Sequence, residues 1–299
     1  MRKIGGAAQV CGWCTFILVG CSLRTGSGNG PIAPPVSPGV CVPSDPTCFP
    51  GNFNTARTAG GPGFAAYRCQ FRVPSTPALE SRNQALYLWC GVQQAGVPEG
   101  QEFGVLQPVL MFGADCVQDL PEGKNFGPEN DRTYLSRPYW YTSAQYVYPD
   151  AASPTGFKCT SGSVFAVAPG EILNSAITYD ESADTMTVRV SASDGRTSNL
   201  IVKHPKDNSR SSWRQFVGGD HLFFNAVLEV PNPMPRRPLP EEVLRGWRLT
   251  AAVETLSALP QLKPEAWQLV GDPRHALSIQ CAHDSSRLES VCTWSNRVP

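Results

Sequence analysis

The chain has 299 residues, with 25 Lys plus Arg balanced by 25 Asp plus Glu, and no basic stripe interleaved with aromatics. A neutral chain of this kind has no electrostatic footprint for nucleic acid, so no nucleic-acid partner is expected. Charged residues are only 17% while Gly (27) and Pro (28) are plentiful, which fits short strands joined by turns and argues against a helical bundle.

Residues 1–20 read as an export leader. Arg2 and Lys3 form a positive start, and the apolar run ending at Val19 is too short to span a bilayer as a mature helix. The leader ends in Leu18-Val19-Gly20-Cys21, which resembles a bacterial lipobox. That resemblance implies a lipidated Cys21 as the mature N-terminus and a cell-envelope lipoprotein of a bacterium. An ordinary secretory peptide that contains a cysteine is the alternative. Cys11-Gly12-Trp13-Cys14 looks like a redox motif but lies inside the leader. Residues 21–50 are rich in Gly, Pro and Ser without apolar periodicity, and read as a semi-rigid linker.

From residue 51 onward strand-like runs follow one another, at 64–73, 85–92, 105–112, 140–148, 163–167, 172–179, 185–192, 198–202 and 222–230. Turn signals separate them, among them Pro169-Gly170, Asp194-Gly195 and Gly218-Gly219. Thr185-Met186-Thr187-Val188-Arg189-Val190 alternates as a half-solvated antiparallel strand does. Asp194-Gly195 before another strand is a hairpin signal. A proline-rich crossing follows residue 230, then a strand at 247–256 and a terminal hairpin over 277–294. Residues 240–248 are the best short helix candidate. The pattern is all-β, an antiparallel two-sheet β-sandwich over residues 51–299, and it is expected as a monomer.

Eight cysteines lie downstream of the leader, an even number that reads as a disulfide framework in an exported chain. Without a C-x-x-C there, no zinc cluster is expected. Cys281 and Cys292 flank a short turn and predict a stapled hairpin; Cys41 and Cys48 predict a small closed loop. Cys116–Cys159 is the expectation for a link between strand ends, which leaves Cys69–Cys90 between neighbouring strands.

Residues 104–113, G-V-L-Q-P-V-L-M-F-G, read as a strand buried on both faces. Alternation puts Val105, Gln107, Val109 and Met111 on one face. An amide buried without partners costs roughly 2–7 kcal/mol, so Gln107 is either hydrogen-bonded in the core or lines a cleft. Pro108 has no N–H and predicts an open ladder position beside it. No nucleophile elbow, metalloprotease helix, phosphate loop or dinucleotide fingerprint is present. The four histidines sit in turn-like settings and read as surface residues. On a later strand, Asn225, Val227 and Glu229 share a face.

Taken in order, several segments resemble the glutamic peptidases (eqolisins). They are Cys69-Gln70-Phe71-Arg72-Val73-Pro74, Trp89-Cys90-Gly91-Val92-Gln93, Val105-Leu106-Gln107-Pro108, Val147-Tyr148-Pro149-Asp150, Asn225-Ala226-Val227-Leu228-Glu229 and the Cys281–Cys292 hairpin. The resemblance implies a jelly-roll, concanavalin A-like sandwich and acid endopeptidase activity without a cofactor. It assigns the catalytic pair to Gln107 and Glu229 and a nearby tryptophan to Trp89. Two departures stand out. Gln93 replaces an aspartate, and a glutamate expected near Gln145 and Tyr146 has no clear match. Gln93, Gln145 and Tyr146 are candidates for substrate binding. Two readings therefore compete: an anchored or secreted endopeptidase acting on polypeptides, and a catalytically silent lectin-like sandwich binding glycans or peptides at the cell surface.

Overall fold

The computed structural model describes residues 52–59, 64–77, 86–94, 104–112, 139–150, 157–205, 212–217, 222–230, 248–255, 267–270, 277–284 and 289–296. Among these residues the chain is almost entirely strand, arranged as two antiparallel sheets face to face. The all-β sandwich read from the sequence is the fold observed.

The first sheet is built from β1 (Asn52–Ala59), β3 (Leu86–Gln94), β4 (Val105–Phe112), β5 (Trp140–Pro149), β6 (Phe157–Ser161), β11 (Leu222–Val230) and β13 (Trp267–Val270). Their order is β13-β1-β11-β3-β4-β5-β6, and the two-residue β7 (Phe165–Ala166) also pairs with β5. The second sheet runs β10-β9-β8-β2-β12-β15-β14. It comprises β2 (Phe64–Arg72), β8 (Ile172–Asp180), β9 (Thr185–Ala192), β10 (Thr197–Val202), β12 (Arg248–Thr255), β14 (Leu277–Asp284) and β15 (Glu289–Asn296). Strands after residue 247 enter both sheets.

Alternation decides which side chains meet between the sheets. Leu88, Cys90 and Val92 of β3, Leu106, Leu110 and Phe112 of β4, and Phe224, Ala226 and Leu228 of β11 point inward. They meet Tyr67, Phe71, Leu173, Ile177, Val188 and Val190 of the second sheet in one core. The Tyr67 hydroxyl donates to the Asn225 carbonyl across the layers at 3.2 Å, and burial alone raises its pKa far above the ordinary tyrosine value. A short helix, α1 (Trp213–Val217), closes one edge of the core. Its Trp213 packs edge-on against Tyr146 and donates Nε1–H to the Val202 carbonyl at 2.8 Å.

The Asp194-Gly195 hairpin forms as read: Gly195 has φ 93°, a conformation that favours glycine, and β9 and β10 pair on either side. The Cys281–Cys292 disulfide also forms, with the two residues directly opposite in the β14–β15 ladder. Cys69 and Cys90 are bonded too, but not between neighbours in one sheet. Cys69 is on β2 of the second sheet and Cys90 on β3 of the first, so this bridge crosses the core. Cys159 is disulfide-bonded. Cys21, Cys41, Cys48 and Cys116 lie outside the described residues, as does most of 240–248.

Candidate functional site

The first sheet carries a second apolar cluster on the face turned away from the core: Tyr87, Trp89, Val109, Met111, Tyr141 and Val227, with Val105 and Val164 packed against it. Such a face on a half-exposed sheet would ordinarily be polar and wet. Here it is enclosed, and the polar groups embedded in it are amides and hydroxyls: Gln93, Gln107, Ser143, Gln145 and Asn225. The described side chains on this face carry no carboxylate, lysine or arginine.

Strand register orders these residues into rows. Asn225 pairs with Gly91. The pairs Trp89–Val109 and Val92–Leu106 place Gly91 beside Gln107. Gln107 in turn pairs with Gln145, and Gln145 with Ser161. The next row is Val227, Trp89, Val109 and Ser143. The row after that is Glu229, Tyr87, Met111 and Tyr141. Gln107, Trp89 and Glu229 therefore fall on one diagonal across β4, β3 and β11. Diagonal neighbours on antiparallel strands are roughly 7–8 Å apart, so position 89 is one step from each of the other two. The Glu229 side chain lies outside what the structure describes; its placement here is that of its backbone.

The ladder between β3 and β4 is interrupted where Cys90 and Gly91 face Gln107 and Pro108. Pro108 has no N–H to give, and this is the open position its sequence predicts. Gly91 has a separate reason to be glycine. A Cβ there would lie 2.7 Å from Trp89 Cζ3, 2.9 Å from Cε3 and 3.2 Å from the Leu106 carbonyl. The Trp89 indole thus lies over the Gly91 backbone, toward the Gln107 row, and a glycine inside a strand marks just such a close approach. The signal that singles out Gly91 in the sequence is its position inside a strand.

The amides differ in how they are held. Gln145 is 2% exposed, and its Nε2 donates to Ser143 Oγ at 3.0 Å and to Met111 Sδ at 3.2 Å. Its Oε1 lies 3.8 Å from the Cys159 sulfur, which is in a disulfide and has no proton to donate. Gln93 is 5% exposed, and its Oε1 has no hydrogen-bond donor among the described residues. An unsatisfied buried acceptor of this type costs on the order of 1–3 kcal/mol. Gln107 retains 8% exposure, and none of the hydrogen bonds among the described residues involves its amide. Gln107 is thus buried without being a satisfied core glutamine.

Tyr146 does not belong to this site. It follows Gln145 on β5 and so points to the opposite face, where it is fully buried between Trp213 and Tyr148. Trp140 is likewise in the intersheet core, against Phe112, whereas Tyr141 is on the site face with Tyr139 at its edge. Of the histidines, His204 is exposed; the side chains of His221, His275 and His283 lie outside the described residues. No cluster of metal-ligating side chains occurs among the described residues.

No family model matches the sequence, and no curated protein matches it. Among solved structures, the chain is similar to a scytalido-glutamic peptidase bound to a peptide-based transition-state analogue. That similarity has a TM-score of 0.45 at 12% identity, over 82% of this chain and 98% of the other. It is also similar to SCP-B, an eqolisin-family peptidase in complex with the tripeptide Ala-Ile-His, with a TM-score of 0.43, 12% identity and the same coverage. A galactose complex of the lectin UEA-II gives a TM-score of 0.26 at 12% identity, over 62% of this chain and 65% of that one. These likenesses are of fold.

Proposed function

We propose that the chain is a hydrolase of the glutamic-peptidase kind, cutting polypeptides at acid pH with Gln107 and Glu229 as its reacting pair. The observation that carries this reading is the diagonal of Gln107, Trp89 and Glu229 on the face away from the core. Gln107 and Glu229 are two diagonal steps apart, roughly 15 Å between their backbones, so the proposed chemistry requires the curvature of the sheet and the bound substrate to bring both side chains to one water and one peptide carbonyl. Glu229, as carboxylate, takes a proton from that water as its oxygen attacks the carbonyl carbon. The carbonyl oxygen gains the displaced electron pair and accepts the Gln107 Nε2–H. The proton on Glu229 then passes to the leaving amine as the C–N bond breaks, which restores the carboxylate.

The test is digestion of an acid-denatured protein by purified full-length chain, compared with Glu229→Gln and Gln107→Ala. Loss of one oxyanion donor lowers turnover about a hundred- to a thousandfold, and removal of the base is expected to cost at least as much. Cleavage that survives both substitutions places the chemistry elsewhere. A second reading has its own support. Gln93 stands where the resemblance implies an aspartate, the implied glutamate has no clear match near Gln145 and Tyr146, and the described side chains of the face are uncharged. If the parent chain binds peptides or neutral glycans but cuts neither, it is a binding module.

We further propose export, and attachment to the envelope through a lipidated Cys21. The disulfides at Cys69–Cys90 and Cys281–Cys292 support an oxidising compartment. Among the described residues no helix is long and apolar enough to cross a membrane. Mass spectrometry of the mature N-terminus is expected to find an acylated Cys21; an unmodified chain starting elsewhere sinks the proposal.

A further inference from the structure

The outer face of the second sheet, opposite the site just described, combines fixed cations with neutral hydrogen-bonding groups. Arg68, Gln70 and Arg72 of β2, Asn174 of β8, Arg189 of β9, and Thr197 and Asn199 of β10 are all exposed on it. Register places Arg68, Ala176, Arg189 and Asn199 in one row. The next row is Thr250, Gln70, Asn174, Ser191 and Thr197. Arg72 lies in the row beyond, beside Ile172. Arg68 and Arg189 are two strands apart, about 10 Å, and Arg72 is four residues along β2 from Arg68, about 13 Å.

Two of these arginines are held in place through Nε. Arg72 donates Nε–H to the Gly170 carbonyl at 3.2 Å, and Arg189 donates Nε–H to Thr197 Oγ1 at 3.3 Å. The terminal nitrogens of these two exposed guanidinium groups make no hydrogen bond or salt bridge among the described residues. A guanidinium fixed at one edge offers a planar fork to a carboxylate or sulfate with little ordering left to do. Between the forks, the Gln70 amide donates to Asn174 Oδ1 at 2.9 Å, making a neutral platform of amides and hydroxyls. By register, Glu254, Glu289 and Asp284 fall on the β12–β15–β14 side of this face together with Arg248, while exposed Asp180 lies at the far end of β8. The β2–β8–β9 side, with Arg68, Arg72 and Arg189, is therefore the more basic half.

We infer that this half-face is a docking surface for an acidic polysaccharide, a chain whose carboxylates or sulfates recur at intervals and whose hydroxyls lie between them. Arg72 and Arg189, two strands and two rows apart and so roughly 16 Å, match spaced anions, and the amide and hydroxyl row matches sugar hydroxyls. The exposed residues named carry no aromatic ring on which bases could stack, which is how single-stranded nucleic acid is held. Few apolar side chains stand out on the face, chiefly Ile172 and Ile201.

The experiment measures binding of the full chain to polygalacturonate, with dextran, a single-stranded DNA oligonucleotide and vesicles containing phosphatidylglycerol as comparators. Polygalacturonate is expected to bind in preference to all three, and the binding is expected to weaken as salt screens the exposed charges. Arg72→Gln and Arg189→Gln are each expected to lower affinity about two- to fivefold, and together about tenfold, as for exposed ion pairs. Arg72→Lys, which keeps charge but not the fork, is expected to fall between. Circular dichroism checks that the variants fold, and digestion or ligand binding at the Gln107 face is expected to be unchanged, so that loss of one surface is told apart from loss of the other. Equal binding to dextran, a preference for DNA or vesicles, no binding to polygalacturonate, or affinity unmoved by the arginine variants overturns the inference.

Discussion

At the scale of single residues, the site depends on one missing side chain. Gly91 lets the Trp89 ring lie against the β3 backbone and the Gln107 row. Gly91→Ala puts a methyl into two ring carbons and a carbonyl, and the ring is enclosed by Val109, Met111 and Val227, so it has little space to retreat. Forcing one extra methyl into a packed cluster costs about 1–3 kcal/mol, and the ring that moves is the one between the proposed reacting groups. We expect Gly91→Ala to stay folded, to melt earlier, and to lose cleavage or ligand binding out of proportion to its stability. Intrinsic tryptophan fluorescence reports the displaced ring. Wild-type function in Gly91→Ala would mean that the indole position does not matter. Gln107 stands out in the sequence as an amide among the aliphatic residues of its strand, whereas Trp89 and Glu229 are singled out by the resemblance to the glutamic peptidases. Tyr146, expected at the site with Gln145, lies in the intersheet core because on a strand the next residue faces the other way.

At the scale of elements, the strands with strong alternation were legible: β4, β9 and β11 have the bounds their patterns predict, and β2, β3, β5, β8 and β10 differ by one or two residues at an end. Three strands were not. Asn52–Ala59 and Phe157–Ser161 alternate small and polar residues with few aliphatics, and Trp267–Val270 is only four residues long. The five-residue α1 is too short for a helical period to show. What holds α1 is a tertiary contact. Asp184, at the β8–β9 turn with φ 49°, accepts the Arg214 backbone N–H at 2.7 Å and the Tyr179 hydroxyl at 3.1 Å. Burial pushes the Asp184 carboxyl up, but hydrogen bonds from Ser212, the Arg214 backbone and Tyr179, with the Arg214 charge, outweigh it and hold it below the ordinary range. A lowered carboxylate pKa stabilises the fold above the unfolded-state value, and that contribution is lost as pH falls through the folded-state value. Asp184→Asn keeps an acceptor that tolerates positive φ and removes only the charge. It is expected to cost under about 1 kcal/mol at pH 7 and nothing once acid has protonated the wild-type carboxyl. Thermal melts at pH 7 and in strong acid check this; a gap that persists in acid would show that charge is not what Asp184 contributes.

At the scale of the whole molecule, the two sheets are joined by burial and, among the described residues, by the Cys69–Cys90 disulfide. The sandwich itself was readable from composition and turn spacing. That Cys69 and Cys90 meet was readable only by elimination, and the sheets they join were not readable at all, because pairing across a core depends on how the sheets stack. The Cys69–Cys90 bridge closes a sequence separation of 21 and Cys281–Cys292 one of 11. Loop-closure entropy alone makes the first worth about 3 kcal/mol and the second only about half a kcal/mol less. The settings differ far more. Cys69 and Cys90 are buried between the sheets, whereas Cys281 is half-buried in a hairpin whose strands are already paired in register. Removing the core bridge also leaves space between packed layers, a cost that adds to the entropy. We therefore expect Cys69→Ala with Cys90→Ala to melt about 10 °C below the parent, on the basis that 1 kcal/mol shifts a domain of this size by about 2–4 °C. Cys281→Ala with Cys292→Ala should lose clearly less. Melting the two double variants side by side under oxidising conditions decides it: equal losses would mean that the bridge between the sheets contributes nothing beyond closing its loop.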